Sequence, residues 1–225
     1  LEAPLASTVE DFLQKTRNYW VQWVKAAAIP QLHQEDVIRS ALALKLHQYE
    51  DTGGIIASGT TSLPEHEGSG RNWDYRYCWI RDSYYTLNAF SRIGHFEELE
   101  KYFHFIQNIV LNEKGSIQPV YGVGGEKDLR ERELPLAGYR NNRPARVGNG
   151  AYLQRQNDVY GQLLICLLPL YTDRRLDMDR SREKYRLVEW LLDQIEKTME
   201  QADAGLWEYR GRMQHHCHTY LFHWA

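Results

Sequence analysis

Apolar residues recur at helical spacing along much of the chain. Val9, Phe12, Leu13, Tyr19, Trp20, Trp23, Val24 and Ala27 predict an opening helix that ends at Pro30. Ser7 and Glu10 stand in the relation of a capping box at its start. Val37, Ile38, Ala41, Leu42, Leu44 and Leu46 predict a second helix over 34–49, broken by Asp51-Thr52-Gly53-Gly54. The same reading predicts helices over 79–93, 96–111, 158–171 and 181–200, and another from Met213 onward. Two stretches, 55–76 and 112–149, lack any period and are rich in Gly, with Pro, Ser and Thr. Loops this long in a compact domain are usually functional. About seven helices, hairpin strands at most and no strand–helix–strand alternation predict an all-α fold, a stack of helical hairpins.

Composition narrows the picture. The 225 residues are 43% hydrophobic and 25% charged, an ordinary globular balance that excludes disorder and low complexity. Net charge is -3 with the two signs interspersed, so nucleic acid is not an expected partner. Mean hydropathy is -0.61, and no apolar run is long enough to span a bilayer. Cys78, Cys166 and Cys217 are odd in number and far apart, which predicts reduced thiols and a cytoplasmic setting. They form no zinc spacing, and the run His215-His216-Cys217-His218 points in several directions on a helix, so no metal site is expected. The chain starts on Leu1 and stops within the apolar run 220–225, which predicts a piece of a larger protein. Nothing in the sequence fixes an oligomeric state.

The aromatic excess, 15 Tyr, 7 Trp and 6 Phe, carries the chemistry. It is interleaved with charge at loop-to-helix junctions: 71–82, 154–160 and 205–210. Sugars call for this mixture. Their C–H faces pack on aromatic rings, and their hydroxyls pair with carboxylate, amide and guanidinium groups. Each cluster also has a plainer reading. Arg81-Asp82 suits a helix-start ion pair, Asn157-Asp158 a helix cap, and Trp207-Glu208 a core ring beside a first-turn acid.

The segments Gly59-Thr60-Thr61-Ser62-Leu63-Pro64-Glu65, Arg71-Asn72-Trp73-Asp74-Tyr75-Arg76-Tyr77 and Trp79-Ile80-Arg81-Asp82 resemble the bacterial branch of glycoside hydrolase family 15. So do Asp128–Leu134, Gly138-Tyr139-Arg140, Arg143–Asn149, Gln156–Gly161 and Leu206-Trp207-Glu208, in the same order. The family includes glucoamylases, glucodextranases and trehalases. The resemblance implies an (α/α)6 toroid of helical hairpins, of which this chain holds about the first half. Residues 1–30 would be a linker helix, and 31–225 the N-terminal part of the catalytic domain.

The resemblance also implies roles. Glu208 matches the general acid of an inverting, exo-acting hydrolase that releases glucose from α-glucosides without a cofactor. Arg81 and Asp82 match the pair that grips the hydroxyls of the cleaved sugar, with Trp79 and Tyr75 lining the same subsite. Tyr152, Gln156 and Asp158 match a neighbouring wall, and Trp207 sits beside the acid. The general base matches no acidic residue here and is expected outside the chain. Tyr209 and Gln162 depart from the family pattern on the leaving-group side, which leaves maltooligosaccharide, isomaltooligosaccharide, dextran and trehalose open as substrates. Phosphate-dependent cleavage and sugar binding without catalysis are the alternative functions.

Overall fold

A computed structural model describes residues 4–112, 115–174, 176 and 182–225. Among them are seven α-helices: α1 (Leu5–Ala26), α2 (Gln34–Lys45), α3 (Ile80–Arg92), α4 (Phe96–Asn112), α5 (Asp158–Thr172), α6 (Arg182–Thr198) and α7 (Cys217–Trp224). The domain is mainly α, as the periodicity predicts. None of the described helices is long and apolar enough to cross a membrane.

The most apolar helix, α5, lies at the centre and packs against α3, α4, α6 and α7. Its Val159, Leu163 and Leu167 join Leu87 and Phe90 of α3, Leu99, Phe103 and Ile106 of α4 and Leu191 of α6 in one core. Close approach of α5 to α7 depends on Gly161. A Cβ there would lie 1.9 Å from the Phe222 carbonyl oxygen. Cys78 and Cys166 are free and buried, and Cys217 is free and exposed. Burial pushes the Cys78 thiol up to about 12, so it is inert as a nucleophile.

The two aperiodic stretches fold into short antiparallel ribbons beside the helices. β1 (Thr61–Pro64) pairs with β2 (Asn72–Asp74), β3 (Cys78–Trp79) with β4 (Val120–Tyr121), and β5 (Arg132–Leu134) with β6 (Ala145–Val147). The ribbon β3–β4 fixes the start of α3, because Trp79 ends the strand and Ile80 begins the helix. A second satellite cluster of Trp79, Val120, Leu129 and Ala151 forms under these ribbons.

Several local expectations change. The Ser7 hydroxyl donates back to the Pro4 carbonyl, and α1 starts at Leu5, so no capping box forms. α2 stops at Lys45, and its lysine ammonium is buried against Gln48, Glu50 and Glu98. α7 begins at Cys217 and not near Met213, because Gln214 is held in an antiparallel bridge to Asp203. The expected start of α6 at 181 lies outside the described residues. No residue of α1 is fully buried; it docks through Trp23, which stacks on His95 at 3.9 Å and donates to Glu98 at 2.7 Å.

Candidate active site

One cleft of about 880 Å³ opens where α3 begins, at the mouths of the β1–β2 ribbon and the loop 203–214. Tyr75, Trp79, Arg81, Asp82, Trp207 and Glu208 all line it. Residues from 75 to 208 thus meet in one hollow, of a size that suits a small ligand.

Glu208 sits at the tip of a tightly held loop. The loop is closed by paired backbone hydrogen bonds between Asp203 and Gln214, 2.9 Å each. Asp203 is buried; its carboxylate accepts from the backbone N–H groups of Asn157 and Gly205 and from the Thr219 hydroxyl. Gly205 has φ +69°, and a Cβ there would stand 2.4 Å from the His216 ring. Glu208 itself has φ 52°, a left-handed conformation uncommon for a residue with a side chain. Such strain persists only when surroundings over-determine it, and it gathers at functional sites. Here the Gln154 amide holds the Glu208 carbonyl at 3.1 Å, and the Glu208 N–H donates to Gly205 at 3.0 Å.

Three donors converge on one carboxyl oxygen of Glu208. Trp79 Nε1, Arg81 Nη2 and Gln156 Nε2 reach Oε1 at 2.6, 2.9 and 3.0 Å. Oε2 receives no hydrogen bond from the described residues. Arg81 in turn donates from Nη1 to Gln156 Oε1 at 2.6 Å, and the same nitrogen lies 3.6 Å from Asp158 Oδ2. Asp158 is fully buried at the first turn of α5, where it also meets Gln162 at 3.0 Å and His218 at 3.2 Å.

Asp82 follows Arg81 in the first turn of α3 but does not pair with it. Burial pushes its carboxyl above the usual range, against the pull of Arg81 and with a further push from the Glu208 charge. No other residue's side chain donates to it among those described. A carboxyl held this way, facing a cleft, is ready to accept hydroxyl donors from a ligand.

The plainer readings give way at two clusters. Arg81 pairs across the molecule with Glu208, not with its neighbour. Trp207 is 75% exposed at the cleft and is no core ring. At the third, Asp158 is not the N-cap but the first residue of α5; Asn157 holds the cap position, without a side-chain cap bond. The predicted site also divides into two shells. Gln156 and Asp158 do not line the cleft; Asp158 stands behind Arg81, and Gln156 holds both Arg81 and Glu208. Tyr152 lies in the 3-10 turn Gly150–Leu153 and packs on the satellite cluster, away from the cleft surface.

The cleft is also lined by Glu65, Arg71, Trp73 and Arg210, to which the sequence assigned no role. Arg71 pairs with Glu65 at 2.6 Å, Trp73 Nε1 donates to Glu65 at 3.0 Å, and the Arg210 guanidinium lies 4.2 Å from the Trp73 ring centre. Their sequence signal is the charge–aromatic interleaving in 71–82 and 205–210. Among the described residues no group of His, Cys, Asp and Glu could hold a metal ion. The histidine run splits, with His215 against Tyr220, His216 toward Asp203 and His218 toward Asp158.

Residues 31–225 match the family described as Glycosyl hydrolases family 15. The chain is 39% identical over 225 residues to a protein named trehalase from Mycolicibacterium smegmatis, covering 96% of this chain and 32% of that protein. It is 34% identical over 213 residues to a trehalase from Thermoplasma acidophilum, covering 95% of this chain and 36% of that one. Trehalase 1 of Sulfolobus acidocaldarius is 33% identical over 226 residues, covering 98% and 39%. The chain thus spans about a third of the length of these relatives. No solved structure matches it significantly. A match over nearly the whole chain, with the motif residues gathered around one cleft, leaves a single conclusion: this chain belongs to glycosyl hydrolase family 15.

Proposed function

We propose that the intact protein hydrolyses an α-linked glucoside with inversion, that the substrate is α,α-trehalose, and that Glu208 is the general acid. The observation that carries this reading is the saturation of Glu208 Oε1 by three N–H donors. Oε1 has no room for a proton donor role, so Oε2 carries the proton and faces the glycosidic oxygen. The sugar to be cleaved packs on Trp79 and Tyr75, with its hydroxyls on Arg81 and Asp82. Protonation from Oε2 lets the C1–O bond break, and water adds to C1 from the opposite face. The trehalase names of the relatives support the choice of disaccharide.

The reading requires a second carboxylate to activate that water, roughly 6.5–9.5 Å from the acid. No acidic residue of the chain matches it, and we assign it to a region of the protein beyond these residues. The same reading places the seven helices within an (α/α)6 toroid. Anomer-resolved NMR of trehalose digestion by the intact protein tests it. Inversion at one of two α-linked carbons releases equal α- and β-glucose at early times. Release of α-glucose alone, or a requirement for phosphate in turnover, overturns the proposal.

A further inference from the structure

We propose that Arg210, oriented by Glu131 and Trp73, is the specificity-determining contact for the leaving sugar. This deepens the reading of Glu208 as the acid and rests on it. The scissile oxygen must face Glu208, which lines one cleft together with Trp79, Arg81, Asp82 and Arg210. Trp79, Arg81 and Asp82 form the wall that grips the cleaved sugar. The leaving half of the substrate must therefore extend into the rest of the cleft, which Arg210, two residues past Glu208, lines with Trp73, Glu65 and Arg71.

Arg210 is half-exposed, and a surface arginine is normally too mobile to confer selectivity. Here it is fixed on two sides. Its Nη2 and Nη1 donate to Glu131 Oε2 and Oε1 at 2.7 and 3.4 Å. Its guanidinium lies over the Trp73 ring. Each support is itself anchored. Glu131 also accepts from the Gly150 N–H at 3.1 Å and lies 3.2 Å from Arg146. Burial opposes its charge, but Arg210, the Gly150 amide and Arg146 hold its carboxyl below the usual range. The Trp73 indole is tied to Glu65. The ordering cost of Arg210 is thus met before ligand arrives, and a guanidinium carries five N–H donors, more than Glu131 consumes. The remaining donors suit the hydroxyl rim of a second sugar.

The test compares two substrates in the intact protein: trehalose and α-glucosyl fluoride, whose leaving group is a bare halide. Arg210→Ala should lower kcat/KM for trehalose roughly tenfold or more, mainly through KM, as expected for losing a hydrogen bond from a charged donor. Turnover of the fluoride should stay within about twofold, since the acid and the glucose-gripping wall are untouched. Glu131→Gln should shift the same ratio in the same direction, and Arg210→Lys should not restore it, because the planar fork is lost. Parallel loss on both substrates would overturn the proposal and make Arg210 a support of the acid loop. So would no loss on either. If another α-linked diglucoside is cleaved in place of trehalose, the trehalose assignment falls, while the ratio measured with that disaccharide still decides the role of Arg210.

Discussion

Lys45 and Glu208 each draw three polar partners to one atom, and the two arrangements differ in what they leave over. The Lys45 ammonium meets Gln48 at 3.1 Å, Glu50 at 2.9 Å and Glu98 at 3.3 Å. An ammonium has three protons, so none remains. Burial would lower the Lys45 pKa, but Glu50 and Glu98 outweigh it and lift it above the ordinary value. That cluster uses every ammonium proton, and it locks α2 to α4 and, through Trp23, α1 to both. At Glu208 three donors saturate one oxygen and leave the second open to the cleft. Among the described residues, Asp82 beside it has no side-chain donor from another residue. The lesson is that burial and pairing alone do not mark a site. A site shows where pairing stops short on the side facing a cavity.

The largest effect expected from this contrast is on turnover. Glu208→Gln keeps the shape and the oxygen that Trp79 and Arg81 hold, but carries no acid proton. Turnover of the intact protein should fall by at least about 10²–10⁴-fold, with glucose affinity in calorimetry largely intact; near-normal turnover would sink the assignment. Lys45→Met should do the reverse. Removing one partner of a buried ion pair should cost on the order of 3 kcal/mol in denaturant unfolding, while kcat per folded molecule is unchanged. A loss of kcat there would erase the distinction between the two clusters. Arg81→Ala touches both sides, since it frees Glu208 and strands buried Asp158. It should lower kcat/KM by about 10²-fold and weaken glucose binding; an effect on stability alone would make Arg81 a purely structural residue.

The smallest effect is the most diagnostic. Burial raises the Asp82 pKa, so the folded state holds that proton more tightly than the unfolded chain does. The stability this contributes is present at acid pH and is lost as pH rises through the folded value. Asp82→Asn has no such loss. Its melting temperature should match the parent at low pH and exceed it increasingly as pH climbs through and above the carboxylate range, while activity falls. A variant less stable than the parent at neutral pH would show that Asp82 holds the fold together.

Helices were legible because they follow one local rule. The periods of α3, α4 and α5 predict their spans within a residue or two. The failures were places where a distant partner decides. The start of α7 depends on the Asp203–Gln214 bridge, and the buried end of α2 depends on Glu98. The site was legible as residue types and through family resemblance, which brought Arg81, Asp82 and Glu208 forward. It was not legible that Asp158 acts from behind Arg81, that Gln156 ties Arg81 to Glu208, or that Tyr152 faces the satellite cluster. The wall formed by Trp73 and Arg210 lay hidden because Arg210 takes its orientation from Glu131, which stands 79 positions away.

The bridge between Asp203 and Gln214 makes the loop that carries Glu208 a replaceable cartridge. Its two ends are joined by paired backbone hydrogen bonds and Asp203 is buried, while Gly211 and Arg212 at its far side are exposed, with open space around Gly211. Lengthening such a loop adds little closure entropy. Residues inserted at 211–212, next to the cleft-lining Arg210, therefore extend the loop beside the cleft while its closed base is kept. For anyone grafting new selectivity onto this scaffold, that is the position at which to begin.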